Sequence, residues 1–179
     1  MTYYDRDALD TFIAEVSGEL RDRPMRAAID GKIRHFFKCI DEADWDGVRM
    51  HLSLDAKLIG DLVGPGDIFI GIDRVMKWFT EARNHNQLTA HQLLLIDRGR
   101  VTCYVTHFWS LNADDMDSKP EFCKTREVYI IDLDDSHQIR RFERRYHEQD
   151  ELLFDGGFKE MKRAFEKAEL HAIELKETF

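Results

Sequence analysis

The chain has 179 residues, of which 43% are hydrophobic, so it suits one folded domain and is not disordered by composition. Its formal net charge of −9 disfavours a nucleic-acid partner, and no apolar run approaches the ~20 residues of a membrane span. The polar N-terminus lacks the apolar centre of a secretion signal, and the three cysteines have no CxxC spacing. We therefore expect a cytoplasmic protein with reduced thiols and no contact with membranes.

The first half of the chain is predicted to be mainly helical. Apolar residues recur at helical spacing in four segments, residues 9–20, 24–40, 48–52 and 72–79. Pro24 suits the first turn of the second helix, because its missing N–H costs no helical hydrogen bond there. A weakly alternating strand, residues 54–62, is expected between the third and fourth segments.

The second half is predicted to form consecutive antiparallel strands. The runs 89–96, 101–111, 122–133 and 138–146 are rich in β-branched and aromatic residues and are separated by turn sequences. Helices followed by such strands indicate an α+β fold and not a doubly wound sheet. A final helix, residues 158–179, carries apolar residues at alternating steps of three and four.

Three polar residues occupy positions that are otherwise apolar. Asp41 follows Phe37 by four residues, so it shares the apolar stripe of its helix. His107 lies in a strand row with Val105 and Trp109, although for this residue alone a hydrogen-bonded core histidine is the more ordinary explanation. For His91 both faces of the strand are apolar, so periodicity does not decide which side is buried.

These three side chains could form an acid–base site. A carboxylate can fix the tautomer of one imidazole, while another imidazole exchanges protons near neutral pH. The same residue types could also bind a metal, but no HExxH or comparably close ligand spacing is present. We therefore expect no metal at this site.

The order of motifs resembles that of SnoaL-like domains in the nuclear transport factor 2-like superfamily. The segment 33–58, IRHFFKCIDEADWDGVRMHLSLDAKL, has an Asp near the end of a helix, followed by an Asp-Trp pair and a strand. Gly71-Ile72 then opens a helix, and Thr89-Ala90-His91 opens a strand. The resemblance implies a cone of curved antiparallel sheet with N-terminal helices. Residues 1–150 would form the cone, and residues 151–179 would be a C-terminal helical extension of the same domain.

The scytalone dehydratase branch is the most similar part of this superfamily. Asp41, His91 and His107 match its catalytic positions, which implies cofactor-free acid–base chemistry with His91 as the base. The expected substrate-binding walls are Phe37, Leu93, Val105 and Trp109. The chain lacks two tyrosines of the related dehydratases, since Ile40 and Phe36 stand in their places. Tyr104 or Tyr129 could replace them, but the pattern places Tyr104 on the opposite strand face and leaves Tyr129 unplaced.

Two functions remain open from the sequence. The first is a lyase (dehydratase) or isomerase that acts on a small apolar carbonyl-type substrate. The second is a non-enzymatic domain of the same fold that binds a small apolar ligand or assists assembly. In either case we expect a homodimer, with the strand that carries RRFERR, residues 140–145, exposed to solvent or paired across the subunits.

Overall fold

The structure is a computed structural model, and it describes residues 10, 13–14, 23–60, 67–84, 86–111, 118–147 and 152–177. The side chains of residues 23, 146, 147 and 171–177 are not described. The predicted first helix, residues 9–20, falls almost wholly outside the described part of the chain. None of the helices described has both the length and the apolar character needed to span a bilayer.

Four helices are described. They are α1 (Arg23–Glu42), α2 (Trp45–His51), α3 (Ile72–Ala82) and α4 (Phe158–Glu177). Asp44 caps α2, because its side chain accepts a hydrogen bond from the backbone N–H of Gly47. Arg83 follows α3 and donates to the backbone carbonyls of Ile40 and Asp41 at 3.2 and 2.8 Å, which satisfies the C-terminal end of α1.

Seven strands form one curved, mostly antiparallel sheet. They are β1 (Leu52–Gly60), β2 (Asp67–Ile70), β3 (Leu88–Asp97), β4 (Arg100–Leu111), β5 (Glu121–Leu133), β6 (Ile139–His147) and β7 (Leu152–Asp155). The strand order is β2-β1-β6-β5-β4-β3, and among the described strands only β1 and β6 pair in parallel. Strand β7 pairs with residues 121–124 of β5, on the same edge that pairs with β6 from residue 127 onward. The predicted α+β cone is thus confirmed, whereas the short strands β2 and β7 were not predicted.

Shifts of register decide which side chains face the interior of the cone. In β3 the register with β4 shifts between His91 and Leu93. In β6 the register with β5 shifts twice, once beside Arg141 and once between Arg144 and Tyr146. Since a bulge inserts one extra residue, the alternation of faces is inverted beyond it.

The two faces of the sheet are covered differently. The inner face packs against α1, α2 and α3 in one large core that includes Phe36, Val75 and Ile131. On the outer face, α4 packs against β3 and β4 through a second core, formed by Ala90, Phe108, Phe122 and Met161 with Ala164, Phe165 and Ala168. Helix α4 thus covers the outer face along β3 and β4. The predicted final helix is ordered there, and the side chains of its last turns lie outside the described set.

The RRFERR strand forms ion pairs within the chain. Arg141 contacts both Asp132 and Glu143, and Arg145 contacts Glu143 at 2.6 Å. Arg144 is turned to the inner face and lies 3.3 Å from Glu127. The charges of this strand are thus engaged inside one subunit.

Candidate active site

A cavity of about 530 Å³ lies between the inner face of the sheet and the helices α1 and α3. Its volume falls in the range of small-molecule sites, roughly 300–1,000 Å³. The apolar part of its lining consists of Phe37, Ile40, Trp78, Phe79, Ala82, Trp109 and Phe142. The polar part consists of Arg83, Asn84 and Gln87, which follow α3, and of His107, Thr125, Glu127, Tyr129 and Arg144 on the strands.

The polar residues on the strands lie together because they alternate along β5 and are paired across to β4 and β6. Thr125, Glu127 and Tyr129 alternate along β5, so all three point to the same side of the sheet. His107 of β4 is paired with Thr125, and Arg144 of β6 is paired with Tyr129. Three adjacent strands therefore present one polar surface to the cavity.

Asp41 lies behind this surface at the end of α1. Its carboxylate accepts hydrogen bonds from the backbone N–H of Thr89 at 2.7 Å, from the Thr89 hydroxyl at 2.8 Å and from the Gln87 amide at 3.1 Å. Burial nevertheless raises the pKa of Asp41 to about 6, because the loss of hydration outweighs these donors and the nearby His107. The carboxyl group can thus exchange a proton near neutral pH.

Thr89 connects Asp41 to His107. Its hydroxyl oxygen is 2.8 Å from Asp41 Oδ1 and 3.0 Å from His107 Nδ1. A hydroxyl has one proton, so if Thr89 donates it to ionised Asp41, His107 Nδ1 must donate to Thr89. This arrangement fixes a proton on Nδ1 and leaves Nε2 of His107 for exchange at the cavity.

His107 Nε2 faces two oxygens of β5. The Tyr129 hydroxyl is at 3.2 Å, and Glu127 Oε2 is at 3.4 Å. The Tyr129 hydroxyl also donates to Glu127, whose other carboxylate oxygen is 3.3 Å from Arg144 Nη1. When Tyr129 donates to Glu127, both oxygens that face Nε2 are acceptors, so an N–H at Nε2 would find a hydrogen-bond partner there.

His91 lies deeper than the cavity wall. Its ring packs edge-on against Phe37 with the centroids 5.1 Å apart, and its Nε2 is buried with no hydrogen-bond partner among the described residues. Burial, together with the positive charge of Arg34, lowers the pKa of His91 to about 3, so the imidazole is neutral near pH 7. The residue shares the inner face with Thr89 because both precede the bulge in β3.

The four predicted wall residues are not all at the cavity. Phe37 and Trp109 line it, and Val105 is fully buried in the adjoining core. Leu93 lies on the outer face beside Leu95, Tyr104 and Val128, so its predicted place on the wall is wrong. The bulge after His91 is the cause, because it turns Leu93 away from the cavity.

Glu127, Tyr129 and Arg144 were not predicted to line the cavity. Glu127 lies in the alternating row that ends with Ile131 and Leu133, so the alternation that indicates an inward-facing His107 also indicates an inward-facing Glu127. Tyr129 lies in the same row, and its ring centroid is 4.6 Å from that of Phe142. Arg144 carries no such signal, since the register shift beside Arg141 inverts its face relative to the apolar Ile139.

No protein-family model matches the sequence, and no curated protein matches it. Similar solved structures do exist. A candidate ketosteroid isomerase from Kribbella flavida has a TM-score of 0.54 at 12% identity, over 68% of this chain and 78% of its own. A Mycobacterium tuberculosis protein, solved in complex with estradiol-17beta-hemisuccinate, has a TM-score of 0.55 at 11% identity, over 69% of this chain and 95% of its own. An NTF2-like protein of Burkholderia pseudomallei has a TM-score of 0.54 at 14% identity, over 75% and 95% of the two chains. Taken with the curved sheet and its helices, these likenesses show that the chain has the nuclear transport factor 2-like fold.

Proposed function

We propose that the protein is a lyase or isomerase that moves a proton on a small carbonyl compound with an apolar body. The observation that carries the proposal is the convergence of His107, Tyr129 and Glu127 within hydrogen-bond reach on one wall of the cavity. The aromatic part of the lining offers a place for the apolar body of the substrate. The ketosteroid isomerase name of one structural neighbour suggests the same class of reaction.

In the proposed mechanism the Tyr129 hydroxyl turns from Glu127 when the substrate enters, and the substrate carbonyl accepts its hydrogen bond instead. Nε2 of His107 removes a proton from the carbon next to the carbonyl, and the electron pair of that C–H bond becomes the enolate. Tyr129 and the guanidinium of Arg144 stabilise the enolate oxygen. The imidazolium then either returns the proton to another carbon, which is isomerisation, or delivers it to a departing hydroxyl group, which leaves as water.

Asp41 acts as a positioning residue in this proposal. It does not line the cavity, and it reaches His107 only through the Thr89 hydroxyl. By holding the proton on Nδ1 it keeps Nε2 directed at the substrate, as the buried carboxylate of a catalytic triad does. The expectation that His91 is the base gives way to His107, because the low pKa of His91 makes it a weak base and its ring is off the cavity wall.

The test is a screen of β-hydroxyketones and β,γ-unsaturated ketones with the full chain. Dehydration of the former and isomerisation of the latter both produce a conjugated enone, which is followed by its ultraviolet absorbance. His107→Gln and Tyr129→Phe should each lower kcat by about 10²–10⁴-fold, the usual contribution of one acid or base. Tyr104→Phe is the matched control, since Tyr104 lies on the outer face and should leave kcat unchanged.

Asp41→Asn distinguishes a positioning role from a merely structural one. It should lower kcat and displace the pH–rate profile, while KM changes little because Asp41 does not line the cavity. A loss in kcat with an unaltered profile contradicts the proposed role.

Ligand binding without turnover is the second candidate. It is favoured by the mutual pairing of Glu127, Tyr129 and Arg144, whose hydrogen-bonding groups already satisfy one another. Calorimetric binding of ketones without enone formation, and without exchange of their α-protons for solvent deuterium, would decide for this candidate.

The quaternary state and the location are also proposals. We propose a homodimer in the cytoplasm. The three cysteines are all buried and form no disulfide, which suits a reducing compartment. Exposed apolar side chains on β7 and at the start of α4, Leu152, Leu153, Phe154 and Phe158, offer a surface for self-association. Light scattering at micromolar concentration should give twice the mass of one chain, and a monomer would contradict the dimer.

A further inference from the structure

A second group of chemically reactive side chains lies on α1 and α2, outside the cavity lining. His35 and Cys39 are one helical turn apart on α1, and His51 is the last residue of α2. His35 Nδ1 is 2.8 Å from His51 Nε2 and 3.6 Å from Cys39 Sγ. The candidate ligand atoms of all three residues lie within 4.8 Å of one another.

These separations match the edges of a tetrahedral zinc site. Zn–S bonds of about 2.3 Å and Zn–N bonds of about 2.0–2.1 Å give sulfur–nitrogen edges of roughly 3.5 Å at the tetrahedral angle. The observed distance between Cys39 Sγ and His35 Nδ1 is 3.6 Å. The two imidazole nitrogens, at 2.8 Å, share a proton and need to separate by only about 0.5 Å when a metal replaces that proton.

His51 is only partly hydrogen-bonded by the described residues. Its Nε2 faces His35, whereas its Nδ1 is buried and has no hydrogen-bond partner among them. An ordinary hydrogen-bonded core histidine would have both ring nitrogens engaged.

Local packing brings a fourth ligand close. Gly47 lies so near this group that a Cβ atom at its position would be 2.6 Å from Cys39 Sγ and 2.3 Å from Asp44 Oδ2. Only glycine therefore allows the first turn of α2 to approach Cys39 in this way. The carboxylate of Asp44 is held beside the thiol, while its other oxygen caps α2 through Gly47 N–H at 3.0 Å.

We propose that His35, Cys39 and His51 bind one Zn²⁺ ion, with Asp44 or a water molecule in the fourth position. Thiolate and imidazole together are the ligands that Zn²⁺ prefers in proteins. Coordination transfers the thiol proton of Cys39 to solvent. The ion links α1 to α2 directly before β1 begins, so it fastens the helical layer that covers the cavity.

The experiment uses the full chain, freed of metal with a chelator, and two metal probes. Zn²⁺ titration by calorimetry should give one ion per chain and raise the Tm. Co²⁺ should give visible bands of a tetrahedral ion and a near-ultraviolet thiolate charge-transfer band. His35→Ala and Cys39→Ser should each weaken Zn²⁺ binding by at least about 100-fold, because loss of an outer-sphere partner alone costs ~10–100-fold.

Matched controls exclude weak binding elsewhere. His137→Asn removes a histidine whose φ of 58° asparagine tolerates, and Cys123→Ala removes a thiol on β5. Both should retain wild-type Zn²⁺ affinity. His35 is exposed, so His35→Ala keeps the fold even if a change at buried Cys39 does not. The proposal fails if His35→Ala binds Zn²⁺ as tightly as the wild type, or if Co²⁺ binds without the thiolate band.

Discussion

The two faces of β4 and β5 are built for different purposes. On the outer face Phe108 and Phe122 pack with Met161 of α4 in an apolar core. On the inner face the same strands bury His107 and Glu127. These side chains lose their contact with water, and hydrogen bonds to one another and to neighbouring residues replace it only in part. Well-packed apolar residues would stabilise the inner face at least as well. The contrast indicates that the outer face maintains the fold, whereas the inner face keeps buried polar groups at a cost in stability.

The largest expected effect is on the outer face. Phe108→Ala should lower the free energy of unfolding by about 3–5 kcal/mol, because it leaves a cavity beneath α4. Urea denaturation measures the change, and Leu54→Ala, at an 83% exposed residue, should stay within about 0.5 kcal/mol of the wild type. A loss below about 1 kcal/mol for Phe108→Ala would contradict the conclusion that the outer face maintains the fold.

On the inner face, a single substitution should lower the free energy of unfolding more than a matched pair of substitutions. Glu127→Leu removes the carboxylate from beside Arg144 and Tyr129, and breaking a buried ion pair in this way costs about 3–5 kcal/mol. Adding Arg144→Met should recover most of that loss while activity stays absent. The same urea titrations on the two variants test this, and a double variant less stable than the single one contradicts it.

Asp41 should make the protein less stable as the pH rises. Its pKa is 3.8 in the unfolded chain and about 6 in the folded one, so the folded state binds the proton more tightly. The resulting stability is complete below pH 3.8 and is lost by about pH 6. The shift of 6 − 3.8 = 2.2 units corresponds to up to about 3 kcal/mol.

Asp41→Asn removes this titration. The stability difference between wild type and variant should therefore shrink by up to about 3 kcal/mol from pH 4 to pH 6. Denaturation at four or five pH values in that interval measures it. A difference independent of pH would show that the carboxyl group titrates normally.

His91 should give a smaller effect of the opposite sign. Its pKa falls from 6.5 to about 3 on folding, so the unfolded chain binds the proton more tightly and stability is lost below pH 6.5. At pH 5 the loss is 6.5 − 5 = 1.5 units, or about 2 kcal/mol. His91→Leu should therefore gain about 2 kcal/mol relative to the wild type between pH 7 and pH 5, by chemical denaturation. An unchanged difference would mean that His91 has a partner that holds its proton.

Much of this architecture could be predicted from periodicity. The helical spacing of Ile33, Phe36 and Phe37 predicts α1, and the alternation of Val101, Cys103 and Val105 places His107 on the inner face of β4. Both inferences hold because these elements are regular over their whole length. Asp41 and His107 could be singled out for the same reason, and both contact Thr89.

The remainder depends on irregularities that local sequence does not specify. The bulges in β3 and β6 invert the faces of Leu93 and Arg144, and a bulge is fixed by pairing with the neighbouring strand. Strands β2 and β7 are four residues each, too short for a periodic signal. The histidine and cysteine group on α1 and α2 needs the packing angle of two helices, which no spacing along one helix provides.

The bulge in β3 has a practical consequence for handling the protein. The backbone N–H of His91 donates to the Glu169 carboxylate of α4 at 2.8 Å, so the last helix reaches through the edge of the sheet to a residue behind the cavity. A purification tag or fusion partner joined directly after α4, which ends at Glu177, would follow Glu169 by only about two helical turns. A fusion that loosens α4 would remove this hydrogen bond, and the pairing of β3 with β4 could then shift by one residue. Comparisons of activity should therefore be made on protein that carries its tag at the other end.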